Sequence, residues 1–360
     1  MRYRTPLQSI ILCAAAILAH VFAATADPSH YTYTVSGKNA TITGYTGPGG
    51  DIVIPDTLGG KPVYGIDFYA FEEIASITRI TLPTNLVYIQ EGAFCFCVNL
   101  VSVDVPDSLV IISSGAFSQC RSLSEIVLST NLTTIGSAAF AGCTSLTNFT
   151  FPASLHYLGP NAFFRCTRLA GIVIPASLAS IEYCAFEGCT SLANIEIPDS
   201  VKTIGFSAFD GCTSLVSLTL PASVASIGSD VFSNCTSLNS LYFVGTPPSL
   251  SWFGFYGTPA TVYYLPAHAA QWPATYGNLP TALWVPSVAK VDYSGEGGHF
   301  GFTASWAADQ TALVQACTNL TVPEWSTLCT TNIPASGSFD FHDSDSSSYP
   351  ARFYRVTFPQ

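Results

Sequence analysis

The stretch AFAGCTSLTNFTFPASL occupies residues 139–155, and AFFRCTRLAGIVIPASL repeats its pattern at residues 162–178. The same spacing extends in both directions along the chain. A phenylalanine recurs every 23 residues, at Phe71, Phe94, Phe117, Phe140, Phe163, Phe186, Phe209, Phe232 and Phe255. From the second of these to the eighth, a cysteine follows three residues later, at Cys97, Cys120, Cys143, Cys166, Cys189, Cys212 and Cys235. A fixed period of this length is the signature of a solenoid in which each repeat forms one coil.

Each repeat contains a short strand and a stop signal. After Phe186, for example, Ile195 and Ile197 alternate with polar residues, which predicts a strand. Pro198 then ends that strand, because proline has no amide donor. One coil cannot bury its own apolar residues, but stacked coils place equivalent residues over one another. We therefore expect one continuous core built from columns of phenylalanine, cysteine, leucine and isoleucine.

The motif AFAGCTSL at 139–146, followed by FTFP at 149–152 and by Leu155, resembles the BspA-type leucine-rich repeat of bacterial surface proteins. The resemblance covers residues 52 to about 265 and holds through seven consecutive full coils. It implies a curved leucine-rich repeat solenoid, found in exported adhesion-type proteins that bind host or matrix macromolecules. It implies no catalytic residues. We expect a mostly β, right-handed coil of short strands and turns.

The first 26 residues have the pattern of an export signal. Arg2 and Arg4 precede an apolar run from Ile10 to Ala19, and small residues occupy positions 24 and 26. A helix of that run would span only about 15 Å, which is half of a membrane's hydrocarbon core. We therefore predict a signal peptide at 1–26, cleavage after Ala26, a secreted or cell-surface protein, and no transmembrane segment.

Different units are predicted on either side of the repeats. At 27–51, alternating residues at 31–35, a turn at 36–39 and a return at 40–43 predict a β-hairpin cap. We assign 52–265 to nine coils of the solenoid and 266–284 to a C-terminal cap or linker. Residues 285–360 show short alternating segments between turn residues, which predicts a small β-sandwich-like domain. A domain of that size has a marginal core, so we expect it to dock on the last coil.

The composition excludes some classes of partner. Charged residues are 10% and hydrophobic residues 48% of the chain, so it has ample apolar surface for folding. The formal net charge is −11, and it becomes −13 once Arg2 and Arg4 are removed. Nucleic-acid binding needs clustered cations, and no such cluster follows Arg4. We therefore expect no nucleic-acid partner.

The seven cysteines spaced by 23 residues, the cysteine column, raise the question of whether they form disulfides or bind a metal. Stacked coils place equivalent Cα atoms about 4.8 Å apart, which suits a disulfide, but the Cβ atoms are equally far apart and a disulfide needs about 3.8 Å. We therefore interpret the column as free, buried thiols that act as small hydrophobic residues. Cys95 with Cys97 supplies too few sulfurs for zinc. Cys317 and Cys329 remain candidates for one disulfide near the C-terminus.

No residue pattern indicates catalysis. Histidines 30, 156, 268, 299 and 342 are scattered over different units. Asp104 and Glu125 fall on neighbouring coils and could face each other as an acid and base, but solvated carboxylates are the simpler interpretation without a flanking pocket. Asp343 and Asp345 suggest a calcium loop, yet serines follow and no distal glutamate completes it. We expect no enzyme activity, no cofactor and no metal.

A binding surface follows from strand geometry, because residues that flank the buried strand positions must point outward. We assign a hypothetical binding surface to the outward residues Arg79, Ser102, Asp104, Glu125, Asn148, Thr150, Asn194, Glu196, Thr219 and Tyr242. They are mostly small, polar and mildly acidic, and an ordinary solvated face without a ligand is the alternative. Aromatic platforms of the kind that bind sugars occur only near the C-terminal end, at Trp252, Phe253, Tyr256 and Tyr264.

These observations favour an exported, adhesin-like interaction protein. We expect a monomer that binds an extracellular protein or glycan through the solenoid surface. The alternative is a structural spacer or stalk, whose C-terminal β domain carries recognition or attachment.

Overall fold

The computed structural model describes residues 27–292, 300–349 and 351–359. The predicted signal peptide lies outside these residues. Short β-strands joined by turns make up the described chain, with single 3-10 turns at Pro28–His30, Pro266–His268 and Ser346–Ser348.

Five strands precede the first phenylalanine of the repeats: β1 (Tyr31–Ser36), β2 (Asn39–Tyr45), β3 (Gly50–Val53), β4 (Thr57–Leu58) and β5 (Lys61–Ile66). The repeats then contribute β6 (Ile77–Thr81), β7 (Tyr88–Ile89), β8 (Ser102–Asp104), β9 (Ile111–Ile112), β10 (Glu125–Val127), β11 (Thr134–Ile135), β12 (Tyr157–Leu158), β13 (Gly171–Val173), β14 (Ser180–Ile181), β15 (Asn194–Glu196), β16 (Thr203–Ile204), β17 (Ser217–Leu220), β18 (Ser226–Ile227), β19 (Ser240–Phe243), β20 (Ser249–Leu250), β21 (Thr261–Tyr264), β22 (Thr275–Tyr276) and β23 (Leu279–Leu283). Six longer strands complete the chain: β24 (Ser287–Asp292), β25 (Phe300–Ser305), β26 (Thr311–Cys317), β27 (Ser326–Asn332), β28 (Ser338–Asp343) and β29 (Phe353–Thr357).

The repeats form a solenoid of about 11 turns. Equivalent strands pair in parallel from coil to coil, so that Ile80 lies opposite Val103, and Val103 opposite Ile126. The longer of the two strands in each coil forms one column, which begins at β3 and ends at β23. Strands β21 and β23 extend this column beyond the nine coils expected from the sequence. Those two coils lack the 23-residue spacing, because β21 and β23 begin at Thr261 and Leu279.

The core confirms the predicted residue columns. The rings from Phe71 to Phe255 are stacked, with neighbouring ring centroids 4.9 to 6.0 Å apart. Each ring is buried, as are the column cysteines and the leucines that follow them. Such offset stacking adds to the burial of each ring, so every coil stabilises the coils on either side.

A left-handed residue precedes each core phenylalanine by two positions. These residues have φ between 50° and 64°, and they are Tyr69, Gly92, Gly115, Ala138, Asn161, Cys184, Ser207, Asp230 and Phe253. The conformation directs the N–H along the solenoid, as when Cys184 donates to the carbonyl of Phe206 over 2.8 Å. Stacking of the coils therefore sets this backbone conformation, whatever residue occupies the position.

At the N-terminal end, β1 and β2 form an antiparallel hairpin and β2 continues in parallel to β5. The ring of Tyr45 stacks on Phe71 at 5.3 Å, and Tyr31 meets the same phenylalanine edge-on at 6.4 Å. The hairpin thus contacts the first ring of the core column. Its role as an N-terminal cap stays a prediction.

At the other end, β24, β25 and β28 form one antiparallel sheet, and β27, β26 and β29 form another. Phe302 and Phe341 from the first sheet share a core with Val314 of the second. Leu265 and Trp284 of the last coils pack with Trp306, whose indole N–H donates to the carbonyl of Trp284 over 2.9 Å. The sheets therefore contact the end of the solenoid, while a domain boundary at residue 285 stays a prediction.

Candidate binding surfaces

The outward residues of the longer strands form one surface, which we call the strand face. Every residue assigned to it from the sequence is exposed or half-buried, and none belongs to the core. The carboxylates on this face are Asp104, Glu125 and Glu196, all exposed. Its arginine, Arg79, lies 4.0 Å from the carboxylate of Asp51 at the N-terminal end. The middle of the face is therefore acidic without a balancing cation on these strands.

The pairing of β8 with β10 does not place Asp104 and Glu125 opposite each other, although the sequence suggested them as a possible acid and base pair. Asp104 lies opposite Val127, and Glu125 lies opposite Ser102, so the two carboxylates are offset by two positions. Asp104 instead accepts a hydrogen bond of 3.0 Å from the hydroxyl of Thr81. The exposed carboxylates are better suited to attract a cationic group than to perform paired acid and base chemistry.

The hydrogen-bonded pairing of the longer strands is interrupted in the middle of this face. Between β10 and β13, the described residues form only one bridge, from Asn148 to Gly171. Phe149 and Phe151 occupy the two inward positions there, and Phe149 packs edge-on against Phe163 at 4.6 Å. Other coils place aliphatic residues at most of these positions, and the described strands have a second interruption between β15 and β17.

A groove of about 480 Å³ lies at this opening. Its walls include Asn148, Thr150, Gly171 and Val173. Asn148 and Thr150 were assigned to the binding surface from the sequence, whereas the groove itself was not expected. The signal that could have revealed it is the pair of phenylalanines at 149 and 151.

Val173 lines the groove, Val127 occupies the equivalent strand position two coils earlier, and both are strongly exposed. Val127 has 72% of its surface accessible and Val173 has 58%. Sequence reasoning treated both as ordinary outward positions and left them out of the proposed site. Exposed apolar side chains beside a concave groove supply the desolvation energy that the polar residues around them cannot.

The repeat region matches the family model of the BspA-type leucine-rich repeat region in six copies, over residues 51–170 and 161–273. The chain belongs to the BspA-type leucine-rich repeat family. No protein of curated function matches the sequence. Membership in this family is consistent with an interaction or adhesin-like role.

Two solved structures resemble this BspA-type chain at 27% sequence identity and a TM-score of 0.51 each. One is the leucine-rich repeat protein TpLRR of T. pallidum, where the match covers 60% of this chain and 91% of that chain. The other is a leucine-rich repeat protein from Bacteroides ovatus, with 65% of this chain and 70% of that chain covered. None of the helices in the described segments has the length and apolar character to cross a bilayer.

The cysteine column of this BspA-type solenoid has a regular bonding pattern. Each thiol donates to the carbonyl of the phenylalanine 26 residues earlier, over 3.0 Å from Cys97 to Phe71 and 3.3 Å from Cys212 to Phe186. The column continues as Thr258, whose hydroxyl donates to the carbonyl of Phe232. The thiols are free and buried, as expected, and they are also hydrogen-bond donors, which sequence reasoning missed.

The C-terminal cysteines and carboxylates have simple explanations. Cys317 and Cys329 are both free, and Cys329 lies opposite Val314 rather than opposite Cys317. Asp343 is buried and pairs with the guanidinium of Arg352 at 2.7 Å. It also accepts a hydrogen bond from the hydroxyl of Tyr354 over 2.7 Å. These bonds occupy the carboxylate that a calcium loop would require, and no group of metal-binding side chains occurs within the described segments.

Proposed function

We propose that this chain is an exported, non-catalytic, adhesin-like interaction protein that binds an extracellular protein or glycan through the strand face. The observation that carries the proposal is the groove of about 480 Å³ that Thr150 and Val173 line, with exposed Val127 one coil before Thr150. It gives an otherwise small and polar face a concave, partly apolar centre. The exported state rests on the sequence pattern at 1–26, and we expect a monomer.

The strand face combines two kinds of interaction. Covering an exposed valine contributes about 1 to 2 kcal/mol of apolar burial, so Val127 and Val173 supply the affinity. Asp104, Glu125 and Glu196 lie along the same face. Exposed carboxylates act mainly on the association rate and on partner choice, and salt screens them.

The proposal can be tested with two variants of the full chain against a partner isolated from matrix proteins or a glycan array. Asp104→Lys with Glu125→Lys and Glu196→Lys reverses the charge, and Gly171→Trp fills the groove. Gly171 tolerates a side chain, because an added Cβ meets its nearest atom at 3.5 Å. We expect each variant to bind at least about tenfold more weakly, with stability within about 0.5 kcal/mol of wild type.

Gly171→Ala is the matched control and should bind as wild type does, since it adds a methyl group without filling the groove. Unchanged affinity in both test variants would refute the strand-face proposal. It would favour the alternative, a spacer whose C-terminal unit carries recognition. That alternative draws support from a second groove, of about 470 Å³, whose lining includes Trp325, Phe353 and Arg355.

A further inference from the structure

Exposed aromatic side chains form a row on the turns of the last coils, away from the strand face. Trp252, Phe253 and Tyr256 are 82%, 67% and 70% accessible. Tyr183 and Phe206 are also exposed, at the position three residues before a core phenylalanine that Trp252 occupies in its own coil. We call these five residues the aromatic stripe. Sequence reasoning noticed three of them and missed the two in earlier coils.

Coil stacking aligns the stripe positions along the solenoid, with Tyr183 and Phe206 in neighbouring coils and Ser229 between Phe206 and Trp252. The turn that carries Tyr183 bonds to the next turn through the Cys184 amide and the Phe206 carbonyl, over 2.8 Å. The amide of Asn234 likewise donates to the carbonyl of Tyr256 over 2.7 Å. The rings of Trp252 and Phe253 lie 6.4 Å apart and are tilted by 51°. The stripe thus ends in the neighbouring rings of Trp252 and Phe253, followed by exposed Tyr256 on the same turn.

Phe253 occupies its position at a cost to the backbone. Its φ of 59° is left-handed, a conformation that a bulky residue rarely adopts. Other coils fill the same position with Gly92, Gly115 or Asn161, which tolerate this conformation well. Because its ring is mostly exposed, burial does not offset the strain. Tyr69 has the same conformation at the equivalent position of an early coil, so the feature of Phe253 that bears on binding is its exposed ring beside Trp252.

Carboxylates accompany the stripe. Asp210 accepts a hydrogen bond of 2.9 Å from the Asn234 side chain, and Asp230 accepts one of 3.1 Å from Ser233. Burial raises the pKa of the Cys184 thiol to about 12, and the nearby carboxylates of Glu187 and Asp210 add to this shift.

The stripe lies in an acidic stretch of the chain. Between residues 169 and 289, six residues are Asp or Glu, and Lys202 is the one basic residue. Arg165 lies beside the turn of Tyr183, where its amide donates to the carbonyl of Glu187, so the part of the stripe with few cations of its own chain is the C-terminal part around Trp252. This combination of negative charge and exposed rings is complementary to a partner that carries positive charge.

We propose that the aromatic stripe is a second binding surface, which takes an arginine-containing basic segment of a partner polypeptide. Guanidinium groups stack on aromatic faces and pair with carboxylates, and the stripe offers both. The chain shows a contact of this kind in the coil before Tyr183, where the guanidinium of Arg165 lies 4.9 Å from the ring centre of Phe164. At the stripe, the partner would supply that cation.

The test uses a fluorescent peptide of alternating glycine and arginine, with binding followed by anisotropy. The variant is Trp252→Ser with Phe253→Asn and Tyr256→Ser. Serine occupies the first and last of these positions in the preceding coil, at Ser229 and Ser233, so folding should be retained. We expect roughly tenfold weaker binding or more, with an unchanged or higher melting temperature. The equivalent lysine peptide should bind several-fold more weakly than the arginine peptide to wild type.

Phe68→Ser is the matched control, because Phe68 is an exposed aromatic at the Trp252 position of the first phenylalanine-containing coil. It should bind the peptide as wild type does. Equal affinity in the triple variant would overturn the proposal, since charge alone would then explain binding. Tighter binding of neutral oligosaccharides or phosphatidylcholine vesicles than of the peptide would also overturn it. Loss of peptide binding in Gly171→Trp alone would place the peptide on the strand face instead.

Discussion

At the scale of single residues, the cysteine column shows how one side chain can serve two purposes. Cys166 fills core volume between stacked coils and also donates to the carbonyl of Phe140 over 3.1 Å. That carbonyl already accepts the amide of Cys143 at 3.1 Å, so the thiol is its second donor. The hydroxyl of Thr258 replaces the thiol where the column ends. Donor ability, and not only apolar character, therefore suits a residue to this position.

This dual role predicts an order of stability for two variants. Cys166→Ser keeps a donor toward Phe140, whereas Cys166→Ala removes it, so the serine variant should be more stable than the alanine variant by about 1 kcal/mol. Urea denaturation of both variants measures the difference. If the column acts only as small hydrophobic residues, alanine will be the more stable of the two, because a buried hydroxyl then has no compensating bond.

At the scale of strands and turns, the repeat pattern predicted far more of the fold than of the binding surfaces. A period of 23 residues specified the coil, the core columns and the outward residues, because stacking makes each position depend on its equivalents. The groove could not be predicted from the 23-residue period. It depends on how two rings, Phe149 and Phe151, fit against Phe140 and Phe163 in neighbouring coils. Strand β23 lies in the segment 266–284 that the sequence assigned to a cap or linker, because the spacing there departs from the period.

The origin of the groove can be tested by restoring aliphatic residues to its coil. The next coil has Ile172 and Ile174 at the equivalent positions, so Phe149→Ile with Phe151→Ile should let the strand ladder close. We expect slower hydrogen exchange at the amides of residues 149–151 and a smaller groove. Loss of ring packing should lower stability by about 1 to 3 kcal/mol. Unchanged exchange in a folded variant would show that the rings do not hold the coils apart.

At the scale of the whole molecule, stacking concentrates buried ionisable groups of one kind along the core. Burial raises the pKa of the Cys97, Cys189 and Cys235 thiols to about 12. The thiol pKa values of Cys120, Cys143, Cys166 and Cys212 are raised well above the ordinary value of 9.0 for the same reason. Unfolding transfers all of these thiols to water at once, because the solenoid shares one core.

The column therefore predicts alkaline instability. Below pH 9 the thiols are protonated in both states, and their contribution is fully present. Above pH 9 the unfolded chain loses thiol protons that the folded chain keeps, so the free energy of unfolding falls as pH rises toward 12. At pH 10 the fall is about 1.4 kcal/mol for each thiol, and on the order of 5 to 10 kcal/mol for the column. Urea denaturation with a reductant at pH 8 and pH 10 measures it.

A single substitution distinguishes the effect of thiol ionisation on stability from that of other groups that titrate at high pH. Serine does not ionise in this range, so Cys166→Ser should lose about 1.4 kcal/mol less than wild type between pH 8 and pH 10. Cys95→Ser, which alters a half-buried thiol outside the column, should give a smaller difference because less of that side chain is removed from water. Equal pH dependence in wild type and Cys166→Ser would contradict the argument, and tyrosine or lysine titration would then account for the alkaline loss.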